Sequence, residues 1–225
     1  MTWLPAPARC NSVEPQYCSA LSMKNTLLIF CVIIASGLAS STRGGSETTT
    51  RQSVGDPLDA PSFEMAAETS YLLGIIGNPN SYEIGAQFIT ARWRIGAVKS
   101  DSWLRGYHQF YALAMAEPIF RGPENHYFGI STGFRYNFAQ PGARLIPYFS
   151  GGVGLGWIDS TGTFGGQGQD FTFNVLSAVG VSYKMNDHWK ASGGLLYQHL
   201  SNAGQTDPNP SLNLLGPQVG LTYSF

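Results

Sequence analysis

Cysteine is nearly absent from this sequence. Of 225 residues only Cys10, Cys18 and Cys31 carry a thiol, and all three lie near the N-terminus. Past Cys31 the chain has no means of forming a disulfide or a thiolate metal site. Charge is scarce too. Asp, Glu, Lys and Arg make up 12% of the residues, where a soluble globular domain carries about 25%. The formal net charge of -1 gives no basic patch of the kind that nucleic acid requires. Helical periodicity is missing from Phe63 onward, and long apolar runs are missing everywhere but one place.

That one run is "MKNTLLIFCVIIASGLASS", from Met23 to Ser41. Lys24 supplies a short positive region, Leu27 to Ile34 an apolar centre, and Gly37-Leu38-Ala39 a small-x-small cleavage pattern. This reads as a secretory signal peptide cut near Ala39, and it is short for a retained anchor helix, which needs about 20 apolar residues. Residues 1–39 are therefore expected to be the signal region, with Met23 as the true start. Residues 40–62, rich in Ser, Thr and Gly, read as a disordered linker. Residues 63–225 form the folded domain.

Glycine (27 residues) and aromatics (13%) are plentiful in the whole chain. The domain divides into eight strand-like segments, at 64–75, 83–96, 103–117, 126–138, 145–157, 170–185, 188–199 and 213–225. Turn-forming stretches separate them, among them "GNPNS" at 77–81, "RGPEN" at 121–125 and a Gly-rich 162–168. The last segments alternate most clearly. Trp189, Ala191, Gly193, Leu195, Tyr197 and His199 share one face of the seventh, and Lys190, Ser192, Gly194, Leu196 and Gln198 the other. In the eighth, Leu215, Pro217, Val219, Leu221, Tyr223 and Phe225 alternate with Gly216, Gln218, Gly220, Thr222 and Ser224. Segments two and three alternate less cleanly, which is what a bulge produces.

A soluble sandwich and a membrane barrel both fit eight antiparallel segments. Low charge, aromatic segment ends and lengths above the roughly 9–11 residues of a tilted spanning strand favour the barrel. Closure also satisfies every backbone polar group, which lipid demands. The terminal "GLTYSF" resembles the C-terminal signal of bacterial outer-membrane barrels. The expected fold is all-β: an eight-stranded antiparallel transmembrane barrel of the bacterial outer membrane.

An even strand count puts both termini on the periplasmic side, so the seventh strand runs outward and the loop after it is extracellular. His199, Ser201 and Asn213 then fall on the lipid-facing row near the outer rim. A histidine beside lipid is costly unless it is paired or used. A serine within its reach can be a nucleophile, with a third group orienting the imidazole. Asn202, Gly204 and Asn209 could hold an oxyanion. A polar loop whose Ser and Asn only make turns explains the same residues equally well.

Three other features carry less. "GGVGLG" at 151–156 lacks dinucleotide-binding spacing and reads as small residues packing in a barrel. His108, His126 and His188 are scattered, without metal-ligand spacing. Arg92, Arg94 and Arg135 are expected in the lumen, opposite acidic residues.

The stretch "HLSNAG" followed by "DPNPSLN" and a Phe-terminated strand resembles the C-terminal motif of the PagL-type lipid A 3-O-deacylases. The specific likeness spans some fifteen residues, and the strand layout extends it more weakly over 64–225. The resemblance implies His199 as base and Ser201 as nucleophile, with Asn202, the Gly204 amide and Asn209 as oxyanion support. The family's acidic third member falls on Asn213, a departure, since Asn can orient the imidazole but brings no charge. Asp207 could take its place only if the loop folded back. The implied activity is removal of an ester-linked acyl chain from lipid A, without metal or cofactor. Expected partners are lipid A of lipopolysaccharide and outer-membrane lipids, with a homodimer admissible. Two rival readings are a non-catalytic barrel with a structural or adhesion role, and an esterase acting on another lipid.

Overall fold

The structure, a computed structural model, describes Leu58, residues 62–76 and residues 82–225. Among the described residues there are eight strands: β1 (Phe63–Ile76), β2 (Glu83–Val98), β3 (Gly106–Arg121), β4 (His126–Phe138), β5 (Leu145–Ile158), β6 (Phe171–Lys184), β7 (Trp189–Ser201) and β8 (Leu212–Ser224). Each pairs antiparallel with the next, and β8 returns to β1, so the sheet is a closed barrel. The strands run 13 to 16 residues, long enough to cross an apolar layer and stand clear of it. The expected signal region and most of the expected linker lie outside the described residues. Within that linker, Leu58 is buried in one cluster with Tyr107 and Ala139.

Alternation along the strands decides what faces lipid. On β7 the row Trp189, Leu195, Tyr197, His199 looks out, while Lys190, Leu196, Gln198 and Leu200 are buried inside. On the outer wall Ile89, Ile130, Val153, Leu195 and Val219 are each at least half exposed. A soluble domain rarely leaves so continuous an apolar surface to water. Outward aromatic rings cluster towards both ends, as in the girdles of outer-membrane barrels. One set runs Trp93–Phe110–Phe134 with centroids 5.9 and 5.8 Å apart; the other runs Trp157–Phe171–Phe173, at 5.7 and 5.2 Å.

Strand three extends further than its sequence pattern suggests, through Pro118 to Arg121. The β2–β3 pairing slips at Glu83/Ile84 and again at Arg94/Gly96, which accounts for the poor alternation there.

An eight-stranded barrel is just wide enough for side chains to fill it. Here the filling differs between the ends. Towards the chain termini it is ionic. Arg92 Nη2 meets Glu68 at 2.6 Å, Lys190 pairs with Glu64, and Gln109 donates to Glu64 at 2.8 Å. Arg135 lies over the Tyr148 ring, 3.5 Å from its centroid, and donates to Ser182 at 2.8 Å. Arg92 and Arg135 are thus lumenal, as their sequence context leads one to expect. Towards the other end the filling is mostly apolar, with Leu72, Ile84, Tyr127, Ile158, Leu196, Leu200 and Leu214 all buried, and it also encloses Glu117, which accepts from Gln198 at 2.9 Å. The inner rows of β7 and β8 are therefore less polar than alternation alone suggests, because this end is packed rather than hydrated. The "GGVGLG" stretch lies in β5, where a Cβ on Gly152 would strike the Tyr111 ring and one on Gly156 the Tyr127 ring. Small residues there make room for two lumenal tyrosines.

Candidate active site

The buried cluster forms a packed floor under the last residues of β7 and the first of β8. On the outer side of that floor, His199 is paired in register with Asn213. Their side chains meet, His199 Nδ1 lying 2.9 Å from Asn213 Oδ1. The same Oδ1 accepts a hydrogen bond from the Tyr197 hydroxyl at 2.7 Å. A carbonyl oxygen can only accept, so this geometry puts the imidazole proton on Nδ1 and leaves the Nε2 lone pair free. Ser201 closes β7 two residues beyond His199 on the same outward row, opposite Phe173 of β6. All four polar side chains are half-buried, neither in the lumen nor fully in solvent.

The loop 202–211 then folds back over Ser201. Asn209 Nδ2 donates to Ser201 Oγ at 3.1 Å, and Ser201 Oγ lies 3.3 Å from Asn209 Oδ1. The Ala203 amide also points at Ser201 Oγ, at 3.1 Å, and the Ser211 hydroxyl lies 3.5 Å away. The turn that brings the Ala203 amide there runs through the left-handed region, with φ of 57° at Ala203 and 73° at Gly204. Gly204 adopts that conformation without the steric cost a Cβ brings, which explains the glycine of Asn-Ala-Gly, whereas Ala203 bears that cost.

Of the residues singled out in the sequence, the structure brings together His199 with Asn213, and Ser201 with Asn209. It keeps two others apart from the hydroxyl. Asn202 is fully buried and turned inward, its Nδ2 donating to the carbonyls of Gln167 and Thr206 at 2.7 Å each. The Gly204 amide is taken up by Asn202 Oδ1 at 2.8 Å. Ser201 Oγ makes its hydrogen bonds to Asn209 and the loop and makes none to His199. Catalytic hydrogen bonds are commonly loose without substrate, and one rotation about the Ser201 Cα–Cβ bond redirects the hydroxyl. Asp207 is exposed and not part of this group.

The site rests on a brace that the sequence did not disclose. Glu124, in the β3–β4 turn, is buried and accepts from the Tyr82 hydroxyl (2.7 Å), the Ser160 hydroxyl (2.9 Å) and the Gln167 amide (3.0 Å). Gln167 in turn holds Asn202 through its carbonyl. One carboxyl thus ties the β5–β6 loop to the loop that follows Ser201. At the start of β6, Asp170 accepts from the Thr161 and Ser160 amides, and the Thr161 bond above all holds its carboxyl below the usual range. Glu124→Ala takes the acceptor from the buried Tyr82 and Ser160 hydroxyls, each costing about 1–3 kcal/mol, while the Gln167 amide keeps its bond to Ser160 Oγ. The expected result is protease cleavage within 159–170 while the barrel stays folded; unchanged protection would show that the brace contributes nothing.

A single short signal could have revealed Tyr197: it stands two residues before His199 and so shares its row. No local pattern marks Glu124, Gln167 or the Ala203 amide. His126 and His188 sit at strand starts, His126 3.6 Å from Asp159 and His188 stacked on Tyr223. No group of potential metal ligands occurs among the described residues.

Comparison with known proteins decides the family. The family model for lipid A 3-O-deacylase (PagL) matches residues 80–222, more than half of the chain. The chain belongs to the PagL family of lipid A 3-O-deacylases. The match takes in β2 to β7, most of β8 and every residue of the site. Among solved structures, the outer-membrane enzyme PagL aligns at 18% identity and TM-score 0.52, covering 70% of this chain and 97% of that one. Neisserial surface protein A aligns at 17% identity and TM-score 0.55, covering 74% and 99%. These likenesses establish the outer-membrane barrel fold, which an enzyme and a surface protein share; the family match is what distinguishes them. No curated protein matches the chain.

Proposed function

We propose that this PagL-family barrel deacylates lipid A with a His199–Ser201 pair oriented by Asn213, at the outer leaflet of the bacterial outer membrane. The observation that carries the reading is the His199 Nδ1–Asn213 Oδ1 contact on the lipid-facing side, two residues from a serine already gripped by Asn209. Export through the N-terminal signal segment, with cleavage near Ala39, belongs to the same reading.

His199 Nε2 takes the Ser201 proton as Oγ bonds to the ester carbonyl carbon, and the carbonyl becomes an oxyanion. Asn209 Nδ2 and the Ala203 amide lie nearest to the reacting oxygen and supply hydrogen bonds as charge develops. Asn202 supports them from below by fixing the turn, and Gly204 lets the chain make it. The intermediate collapses by breaking the ester C–O bond, and the imidazolium returns its proton to the departing sugar oxygen. Water, deprotonated by His199, then attacks the acyl-serine and releases the fatty acid and free Ser201.

The position of the site favours a substrate that never leaves its leaflet. Phe173, Val175 and Leu215 flank Ser201, His199 and Tyr197 in register and are exposed on the outer wall. An acyl chain lying against them puts its ester at the level of Ser201. The direct test is purified, detergent-folded protein mixed with lipopolysaccharide. Release of a free fatty acid, with lipid A lighter by one ester-linked chain, is expected; intact lipid A would refute the proposal.

The uncharged Asn213 leaves the imidazolium without a counter-charge. Loss of the acid at this place in a serine protease costs about 10⁴ in turnover, partly through a wrong tautomer. Here the tautomer is already right, so only the charge is missing. Asn213→Asp is expected to raise kcat by about tenfold or more, short of that full factor. A large fall in its fatty-acid release rate would mean that Asn is preferred.

A further inference from the structure

An asparagine in the orienting place carries a hazard that a carboxylate does not. Turned over by 180°, Asn213 would offer its NH₂ to His199 Nδ1. The imidazole would then hold its proton on Nε2, where it can accept nothing from Ser201. The two amide orientations fill the same space, so packing alone does not choose between them.

Tyr197 does choose. Its hydroxyl points at Asn213 Oδ1 at 2.7 Å, and that oxygen is its sole hydrogen-bond partner among the described residues. The ring belongs to the lipid-facing row, half-buried, with Leu195 and Leu215 beside it. With the amide turned over, the hydroxyl could still accept from NH₂, but its own proton would have nowhere to go. A donor left unpaired beside an apolar layer is unfavourable. Oδ1 accepts from both Tyr197 and His199 in the observed orientation, so neither the phenol proton nor the imidazole proton is stranded.

We propose that Tyr197 is a positioning residue that holds the Asn213 amide carbonyl-first towards His199, so that an uncharged side chain sets the productive imidazole tautomer. Tyr197 acts through Asn213 and does not touch the reacting atoms. This inference rests on the catalytic reading above, and it deepens it by explaining how the family's acidic residue can be absent.

A carboxylate has two equivalent oxygens and no wrong side. The test is therefore Tyr197→Phe in two backgrounds, with fatty-acid release as the rate. With Asn213 present, kcat is expected to fall about tenfold, the worth of one hydrogen bond, at little change in KM. With Asn213→Asp, the same substitution should change kcat by less than about twofold. Equal losses in both backgrounds would overturn the inference, since Tyr197 would then act on the substrate or the fold. No loss in either would overturn it too.

A second readout needs no turnover. Imidazole nitrogen NMR shifts of His199 are expected to report Nδ1–H in the parent protein and a mixture with Nε2–H in Tyr197→Phe. An unaltered tautomer in that variant would refute the inference. If Ser201→Ala proved as active as the parent, the catalytic reading would fail while the tautomer measurement still judged Tyr197.

Discussion

Ser201→Ala is expected to abolish removal of the acyl chain, by a factor on the order of 10⁴ or more, the scale set by deleting the nucleophile of a serine hydrolase. The reasoning is chemical. The other hydroxyls near His199 are placed differently: Tyr197 donates to Asn213 Oδ1, on the Nδ1 side of the ring, and Ser211 lies 3.5 Å from Ser201 Oγ. The fold should be indifferent to the change. Ser201 is half-buried at the end of β7, and Asn209 keeps a second anchor, the Asn202 amide at 3.3 Å from Asn209 Oδ1. Lipid A from cells expressing the parent protein should be lighter by one acyl chain than lipid A from cells expressing the variant. Identical mass spectra from the two would place the chemistry elsewhere or remove it, and a non-catalytic role in the membrane would then be the better reading.

Arg92→Leu is expected to be the most damaging single change to stability. Arg92 and Glu68 have side chains only 5% and 6% exposed, and their 2.6 Å contact stands in the lumen with Thr90 and Thr222 as further partners. Removing the guanidinium leaves the Glu68 carboxyl buried without its counter-charge, which costs about 3–5 kcal/mol. Taking away both members, as in Arg92→Leu with Glu68→Leu, removes the stranded group and should restore most of that loss. Denaturant midpoints of the barrel refolded in lipid vesicles measure both variants. A single variant as robust as the parent would mean that water reaches the lumen at this level and screens the pair.

The strand count and the identity of the lipid-facing rows were readable because a barrel wall imposes a period of two on every strand. Trp189, Leu195 and Tyr197 announce their face by spacing alone. Strand two hid its register because two bulges, at Glu83/Ile84 and Arg94/Gly96, each break that period. The His199–Asn213 pairing could be inferred from a hairpin drawn between β7 and β8, since opposite residues of a hairpin share a face. How the inner rows sort between the two ends could not: Leu196, Leu200, Leu212 and Leu214 gather in a floor at one end, while Glu64, Glu68, Arg92 and Lys190 form an ionic group at the other. Which inner residues meet depends on barrel closure, which brings residues from strands remote in sequence into contact.

By itself the sequence determined the closed β architecture, the outward placement of His199, Ser201 and Asn213, and the resemblance to the deacylases, because period and motif are local properties of the chain. The tertiary structure alone decided that Asn209 grips Ser201, that Asn202 faces inward, and that Tyr197 and Glu124 belong to the site. Hydrogen bonds of that kind span loops and strands, and their partners are chosen by three-dimensional closure, not by spacing along the chain.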